Sequence, residues 1–333
     1  MHKFIKVLSI CNVLKDILIK VNEDELKSLG LTKGMMYLVS EKEQIELLEK
    51  FHNHEKKVEM GGSGTNMMRT MALLGQKVSQ AGMVGNDIYG EMCINRINEL
   101  GIVNNIKKSE VGSTGTSLIL LTPDGERTMN TCLGVSRFYT VKDIPDNDIA
   151  NSEYLLVTGY QWDTDNQIEA VNHAIRVARH NNTKVVLDIS DPFCVERHKE
   201  TFWNIIEEFV DVLFCNRKES YFLTGKNIQE SLDILSEICN IVVIKNGSEG
   251  SYIRNRNKQI KIESNKVNVV DTTAAGDMYA GGFMYGLTKN LSLEVCGKIA
   301  SFCAELVIQN VGATLPNNLK ELVENKFSLK TLC

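Results

Sequence analysis

From about residue 150 the chain alternates short apolar runs with amphipathic stretches, and this alternation constrains its fold more than any other feature. Tyr154 to Val157, Val185 to Ile189, Val210 to Cys215 and Ile241 to Lys245 are strand-length runs, most of them rich in β-branched residues. Between the first two lies Asp165 to His180, with Ile168, Val171, Ile175 and Ala178 on one helical face. Strand, helix, strand in repetition predicts a mostly parallel sheet with helices on both faces. Two further helical stretches, Leu291 to Gln309 and Asn317 to Glu324, close the chain.

The N-terminal third reads differently. Ile17 to Val21, Met35 to Ser40 and Thr114 to Thr122 have strand character, and the last ends in the turn signal Pro123-Asp124-Gly125. A returning hairpin strand is expected from Thr128 onward. Helical candidates at Asn66 to Leu74 and Asp87 to Leu100 interrupt these pieces. A small β-rich unit inserted into an α/β body accounts for the pattern, with 333 residues forming one domain.

Composition excludes several functions. A hydrophobic content of 43% with 24% charged residues is that of a water-soluble globular protein. The formal net charge of -5 and the lack of any basic stripe argue against a nucleic-acid partner. The apolar runs are too short to span a membrane, and Met1 to Lys6 opens no signal-peptide core. Nine scattered cysteines without a Cys-x-x-Cys pair read as buried small hydrophobes in a reducing cytoplasm. His52 and His54 lack a third partner at ligand spacing and read as a solvated helix end.

Chemistry concentrates at four places. Asp271-Thr272-Thr273-Ala274-Ala275-Gly276-Asp277 follows the strand-like run Val267 to Val270 and opens a helical one with Met278, Ala280, Phe283, Met284 and Leu287. Small residues at a strand-to-helix turn let amides converge on an anion, and the helix start adds its positive dipole end. Asp277, in the first helical turn, is placed to take a proton from an attacking hydroxyl while those amides hold a phosphoryl group. A tight turn with an acid at a helix start is the simpler alternative. Gly61-Gly62-Ser63-Gly64-Thr65-Asn66 precedes a second helix and permits close ligand approach, yet it is neither of the two common nucleotide loops. Asn216 to Glu219 lies at the C-terminal end of a parallel strand, where α/β sheets bind ligands; it fits either metal-bound water or a helix cap. Gly247 to Gly250 follows the next strand, which ends at Lys245.

In this order the motifs resemble those of the ribokinase family, the PfkB carbohydrate kinases, over nearly the whole chain. Gly61-Gly62 with Asn66 and Leu74-Gly75 is similar to the family's N-terminal signature, and Asp271 to Asp277 to its C-terminal signature DTxGAGD. Asn216 to Glu219 matches its NxxE element, and Gly247 to Gly250 its GxxG loop. The resemblance implies a three-layer αβα fold with a mostly parallel sheet and a β lid, here segments of roughly 13–60 and 103–135. It implies ATP as donor and Mg2+ as the required metal, with Glu219 acting on the metal through water. Asp277 is then the base, with Ala274, Ala275, Gly276 and Asp277 forming the anion hole. Asn216, Glu219, Lys245, Gly247, Gly250 and Thr272 would bind the nucleotide. Asn12, Asp16, Gly61, Gly62, Asn66, Arg127 and Leu133 would bind the acceptor.

Within the family the chain is most similar to bacterial adenosine kinases, through Ser190 to Phe193, Asp124 to Asn130, Tyr285 to Leu287 and Val311 to Ala313. The Gly61 to Asn66 loop has no cation for an acceptor phosphate, although Arg69 and Arg127 could be recruited, whereas Met36, Leu38 and Leu133 could wall a nucleobase. The expectation is transfer from ATP to the 5′-hydroxyl of adenosine, by a cytoplasmic monomer or homodimer. A sugar kinase and a catalytically silent nucleoside binder are the alternatives. Three departures from the family pattern bear on pocket shape: Ala274 for a glycine, tolerable at negative φ; Cys11 for a glycine; and the bulky Met67 and Met68.

Overall fold

The computed structural model describes residues 3–256 and 258–329. Its large sheet has nine strands. In spatial order they are β14 (Lys258–Ile262), β13 (Ser251–Asn255), β12 (Ile241–Lys245), β11 (Val210–Asn216), β10 (Lys184–Asp188), β9 (Ser152–Thr158), β1 (Ile5–Ile10), β5 (Val78–Gly85) and β6 (Val103–Ser109). Every pairing from β12 to β6 is parallel, and only β13 and β14 run antiparallel at one edge. Parallel strands need crossovers, and the helices that make them cover both faces. The interior strands are therefore buried on both sides, as all eight residues of β5 are.

A second sheet of five strands has the order β3 (Met36–Leu38), β8 (Arg127–Gly134), β7 (Thr114–Leu121), β2 (Leu14–Lys20) and β4 (Lys56–Gly61). One face buries Ile17, Ile19, Leu118 and Leu120 in a core of its own. The other face lies over the C-terminal ends of the large sheet. This is the expected ribokinase-like arrangement, with two corrections. Residues 103–109, expected in the lid, pair with β5 as the edge of the large sheet, so the lid's second segment begins at Thr114. Val267 to Val270 forms no strand. That stretch runs beside the helix Leu293–Val307, where Val270 N–H donates to Ile308 O and Asn265 N–H to Glu305. β-branched residues favour strands only where a neighbouring strand accepts their hydrogen bonds, and none adjoins this segment.

The helix Asp165–His180 and the strand Ile241–Lys245 have the limits expected of them. The first signature helix runs Ser63–Leu73, starting three residues before expectation because Gly62 (φ 90°) turns the chain into it. The helix Ile88–Glu99 is capped by Asp87, whose carboxylate accepts from Gly90 N–H at 2.8 Å. No cysteine among the described residues is disulfide-bonded, and all but Cys132 are buried. His52 bonds Glu49 O and His54 bonds Glu25, so the two rings share no partner. No helix among the described residues is long and apolar enough to cross a membrane.

Candidate active site

Asp277 stands where two hollows meet. An inner cavity lies between lid and body, and an outer cleft of about 800 Å³ lies along the strand ends; Ser63, Arg127, Tyr160 and Asp277 line both. Of the expected acceptor residues, Asn12, Asp16, Gly62, Asn66, Arg127 and Leu133 line the inner cavity. All six expected nucleotide residues, Asn216, Glu219, Lys245, Gly247, Gly250 and Thr272, line the outer cleft.

Gly61 lines neither hollow. A β-carbon there would come within 2.0 Å of Asp16 Oδ1, so this glycine seats the Asp16 carboxylate instead of touching a ligand. Gly62 has φ 90°, and a β-carbon on it would meet Asn12 O at 2.3 Å. Met67 and Met68 are fully buried in the core behind the site, so their bulk leaves the cavity unchanged. Cys11 does line the cavity, and its side chain occupies space that Gly64 leaves open.

The anion turn is built as its sequence suggests, with one exception and one occupied donor. Ala274 caps the helix Ala275–Thr288, and Asp277 is its third residue. Ala274 adopts φ 59°, ψ 10°, the left-handed region, contrary to the negative φ expected for an alanine. The turn geometry that glycine usually supplies is thus kept at a cost of about 1–2 kcal/mol. Ala275 N–H already donates to Thr272 O at 3.2 Å. The amides of Gly276 and Asp277 have no protein acceptor among the described residues and remain open at the helix start. Asp271, the first acid of the motif, is fully buried and purely structural in its contacts. It accepts from Thr273 N–H at 2.8 Å and Gly312 N–H at 2.7 Å, tying the turn to the loop after the helix Leu293–Val307.

Asp277 Oδ2 accepts from Asn66 Nδ2 at 2.9 Å. Burial pushes its carboxyl up from the usual range, against the pull of the Asn66 hydrogen bond and the Arg127 charge. Asp16 has no side-chain hydrogen bond among the described residues, and burial pushes it further, to about 7. Asn12 is held by Gln167, which donates to its Oδ1 at 2.6 Å. Arg127, on the lid, reaches Thr272 O at 3.4 Å.

In the outer cleft Lys245 Nζ donates to Asp188 Oδ2 at 3.0 Å, and a β-carbon on Gly276 would lie 3.1 Å from that ammonium. Lys245 therefore puts positive charge directly against the anion turn. Burial alone would lower its pKa, but Asp188 and Glu219 outweigh burial and raise it, keeping it charged. Asn216 and Glu219 form a reciprocal capping box, with Asn216 N–H donating to Glu219 Oε2 at 2.7 Å and Glu219 N–H to Asn216 Oδ1 at 2.9 Å. The helix-cap alternative is thus built here, in residues that also face the cleft. Burial drives the Glu219 carboxyl up.

Sequence reasoning missed Asp188, Tyr160 and Asp163, and offered Arg69 only as a cation for an acceptor phosphate, whereas it lines neither hollow and its guanidinium is bonded to Met60, Asn66 and Ala313. Asp188 had a signal, since it is the acid at the end of the expected strand Val185 to Ile189. The other two had none, since Tyr160 and Asp163 sit in and after a short 3-10 turn; of the partners of Arg69, Asn66 lies three residues before it on the same helix, while the other two come from residues 60 and 313.

Two sheets meeting over a helix N-terminus, with an acid among open amides, form an arrangement compatible with a phosphotransferase acting on an alcohol acceptor, the class to which the family match assigns the chain. The chain matches the model of the pfkB family carbohydrate kinases over residues 18–320 and belongs to that family. It is similar to an adenosine kinase structure from Sinorhizobium meliloti, at 30% identity over 97% of this chain and 99% of the other, with TM-score 0.93. It is similar in the same degree to a probable sugar kinase from Rhizobium etli, at 31% identity over 99% and 100%, also with TM-score 0.93. Among curated proteins, the 5-dehydro-2-deoxygluconokinase of Listeria monocytogenes is 28% identical over 75% of this chain and 80% of its own.

Proposed function

We propose that the protein transfers the γ-phosphoryl group of ATP to the 5′-hydroxyl of adenosine, giving ADP and AMP. The observation that carries this reading is the position of Asp277 at the junction of the two hollows, beside the open amides of Gly276 and Asp277. The acceptor hydroxyl enters from the inner cavity and passes its proton to an Asp277 carboxylate oxygen as its own oxygen bonds the γ-phosphorus. The bond from that phosphorus to the β-γ bridging oxygen breaks, and ADP leaves along the outer cleft. A carboxyl raised by burial is a better base than one in water, and it need only accept the proton as the new bond forms. The two amides and the Lys245 ammonium meet the charge on the transferring group.

Mg2+ would supply charge neutralisation on the phosphates. Among the described residues no group of three or more metal-ligating side chains lies together. The donor set therefore fits a metal held by phosphate and water, with Glu219 reaching only the water shell, and does not fit an all-protein cage. On this reading Asp16, Asn12 and the Gly62 turn, which line the inner cavity, bind the ribose. Met36, Leu38, Ile119 and Leu133 give the same cavity apolar walls suited to a flat base.

A sugar acceptor is the second reading, favoured by the curated relatives. ADP release measured with adenosine, inosine, ribose and fructose 6-phosphate separates the two. Turnover of adenosine at least tenfold above every sugar is expected. Preference for a sugar overturns the adenosine assignment and leaves the phosphotransferase reading standing.

A further inference from the structure

Arg69 lies on the helix Ser63–Leu73, one turn after Asn66, and lines neither of the two hollows. Its guanidinium donates three hydrogen bonds, each to a different part of the molecule. Nη1 reaches Met60 O at 2.9 Å, near the end of lid strand β4, and Asn66 Oδ1 at 3.1 Å. Nη2 reaches Ala313 O at 3.1 Å, in the loop that Gly312 stitches to Asp271 of the anion turn.

The bond to Asn66 has a directional consequence. The two ends of an asparagine amide are alike in shape and opposite in function, one accepting and the other donating. Arginine can only donate, so the end facing Arg69 must be the carbonyl oxygen. The NH2 end is then turned toward Asp277, to which it donates at 2.9 Å. With the amide reversed, an oxygen lone pair would face the carboxylate and repel it. Thr70 meets only the backbone oxygen of Asn66, so it does not set the amide's direction.

We propose that Arg69 is a positioning residue for the reaction: it fixes the orientation of the Asn66 amide, and through it the donor that Asp277 receives. It does so from a point tied to the lid strand and to the back of the anion turn, so the base is registered to both walls of the site. This rests on reading Asp277 as the base.

The test is a double-mutant cycle on kcat with Arg69→Met, Asn66→Ala and the pair. Each single change is expected to lower kcat by roughly 10- to 100-fold, the range for losing a hydrogen bond to a charged group. Because Arg69 acts through Asn66, adding Arg69→Met to Asn66→Ala should cost no more than about threefold further. Multiplying losses overturn the proposal, since a merely structural Arg69 would weaken either background alike.

A pH profile supplies the second readout. The groups that otherwise face Asp277 are Arg127 of β8, Lys245 of β12, Asp188 of β10, Asp16 of β2 and Tyr160 after β9. None of them is substituted in these variants; Arg69→Met also removes a charge that acts on Asp16, which Arg69→Lys retains. Loss of the Asn66 donor removes a bond that favours the charged carboxylate, so the acid limb of kcat/KM should move to higher pH, equally in both single variants. An unmoved limb in Arg69→Met overturns the proposal. Arg69→Lys retains one donor and is expected to keep an intermediate kcat; run through the same cycle, it decides between the two outcomes if Arg69→Met does not fold. Near-normal turnover in Asp277→Asn would instead remove the base assignment itself. An inactive Asp277→Asn with a multiplicative cycle removes only the role of Arg69.

Discussion

The α/β body and the lid face the same inner cavity, but they hold their charged groups in opposite ways. On the body side, Asp277, Asn66 and Arg69 are linked by bonds of 2.9 and 3.1 Å, and Lys245 is paired with Asp188 at 3.0 Å. On the lid side, Asp16 has no side-chain partner among the described residues, and Arg127 makes a single long contact of 3.4 Å. Burial raises the carboxyls of both Asp277 and Asp16, so desolvation is common to them and hydrogen bonding is what distinguishes them. The body is organised before a ligand arrives. The lid's Ser117 and Thr131 hydroxyls bond each other at 2.9 Å, but its two charged groups, Asp16 and Arg127, leave partners for a ligand to supply, a division suited to closing over an acceptor.

The comparison breaks most sharply at Asp277. Asp277→Asn should lower turnover by at least about 10³-fold, near the upper part of the range for a general base. ATP affinity by calorimetry should change little, because the amides and Lys245 remain. The lid acid should behave differently. Asp16→Asn should raise KM for the acceptor by roughly 10- to 100-fold, as expected for a lost charged hydrogen bond, with a smaller change in kcat.

Stability provides an independent signature of the same lid acid. The folded pKa of Asp16 is raised to about 7, above the unfolded value near 4, so between those values the native state holds the extra proton. Its contribution is therefore favourable at low pH and is lost as pH rises through about 7. Thermal melts at pH 4 and below should differ little between Asp16→Asn and the parent protein, while at pH 8 the variant should be the more stable. A variant less stable at pH 8 would mean that Asp16 already has a partner in the free protein.

How far the sequence reveals this design depends on whether a residue's partners are local. The strand Ile241–Lys245 and the helix Asp165–His180 follow from periodicity because each is read from its own side chains. β5 escapes the same logic: it is buried on both faces, so it has no alternation, and its Ser79, Gln80 and Gly82 dilute the apolar signal. Val267 to Val270 misleads for the converse reason, having strand-like residues with no strand to pair with. At the site, Gly62, Asn66, Glu219 and Asp277 are legible because small residues and caps leave marks at short spacing. Asp188 gains its meaning from Lys245 two strands away, and Arg69, although a near neighbour of Asn66 on its helix, gains its anchorage from residues 60 and 313. Neither relationship exists before the chain is folded.

The smallest effect probes what the organisation of the body costs. Ala274 holds a left-handed φ of 59° while 3% exposed, with no room to relax into solvent. A left-handed alanine costs about 1–2 kcal/mol, and glycine at the same place loses roughly 0.5–1 kcal/mol of that gain to the entropy of its unfolded chain. Ala274→Gly should therefore stabilise the protein by up to about 1 kcal/mol in urea unfolding, with kcat within about twofold of the parent because the Gly276 and Asp277 amides are unmoved. Ala274→Val, whose branched side chain tolerates this φ less well, should be destabilised by more than about 1 kcal/mol and lose activity with it. If the glycine variant gains stability but loses turnover, the methyl group itself is helping to fix the turn, and the rigidity of the body depends on side-chain packing at Ala274 as well as on its hydrogen bonds.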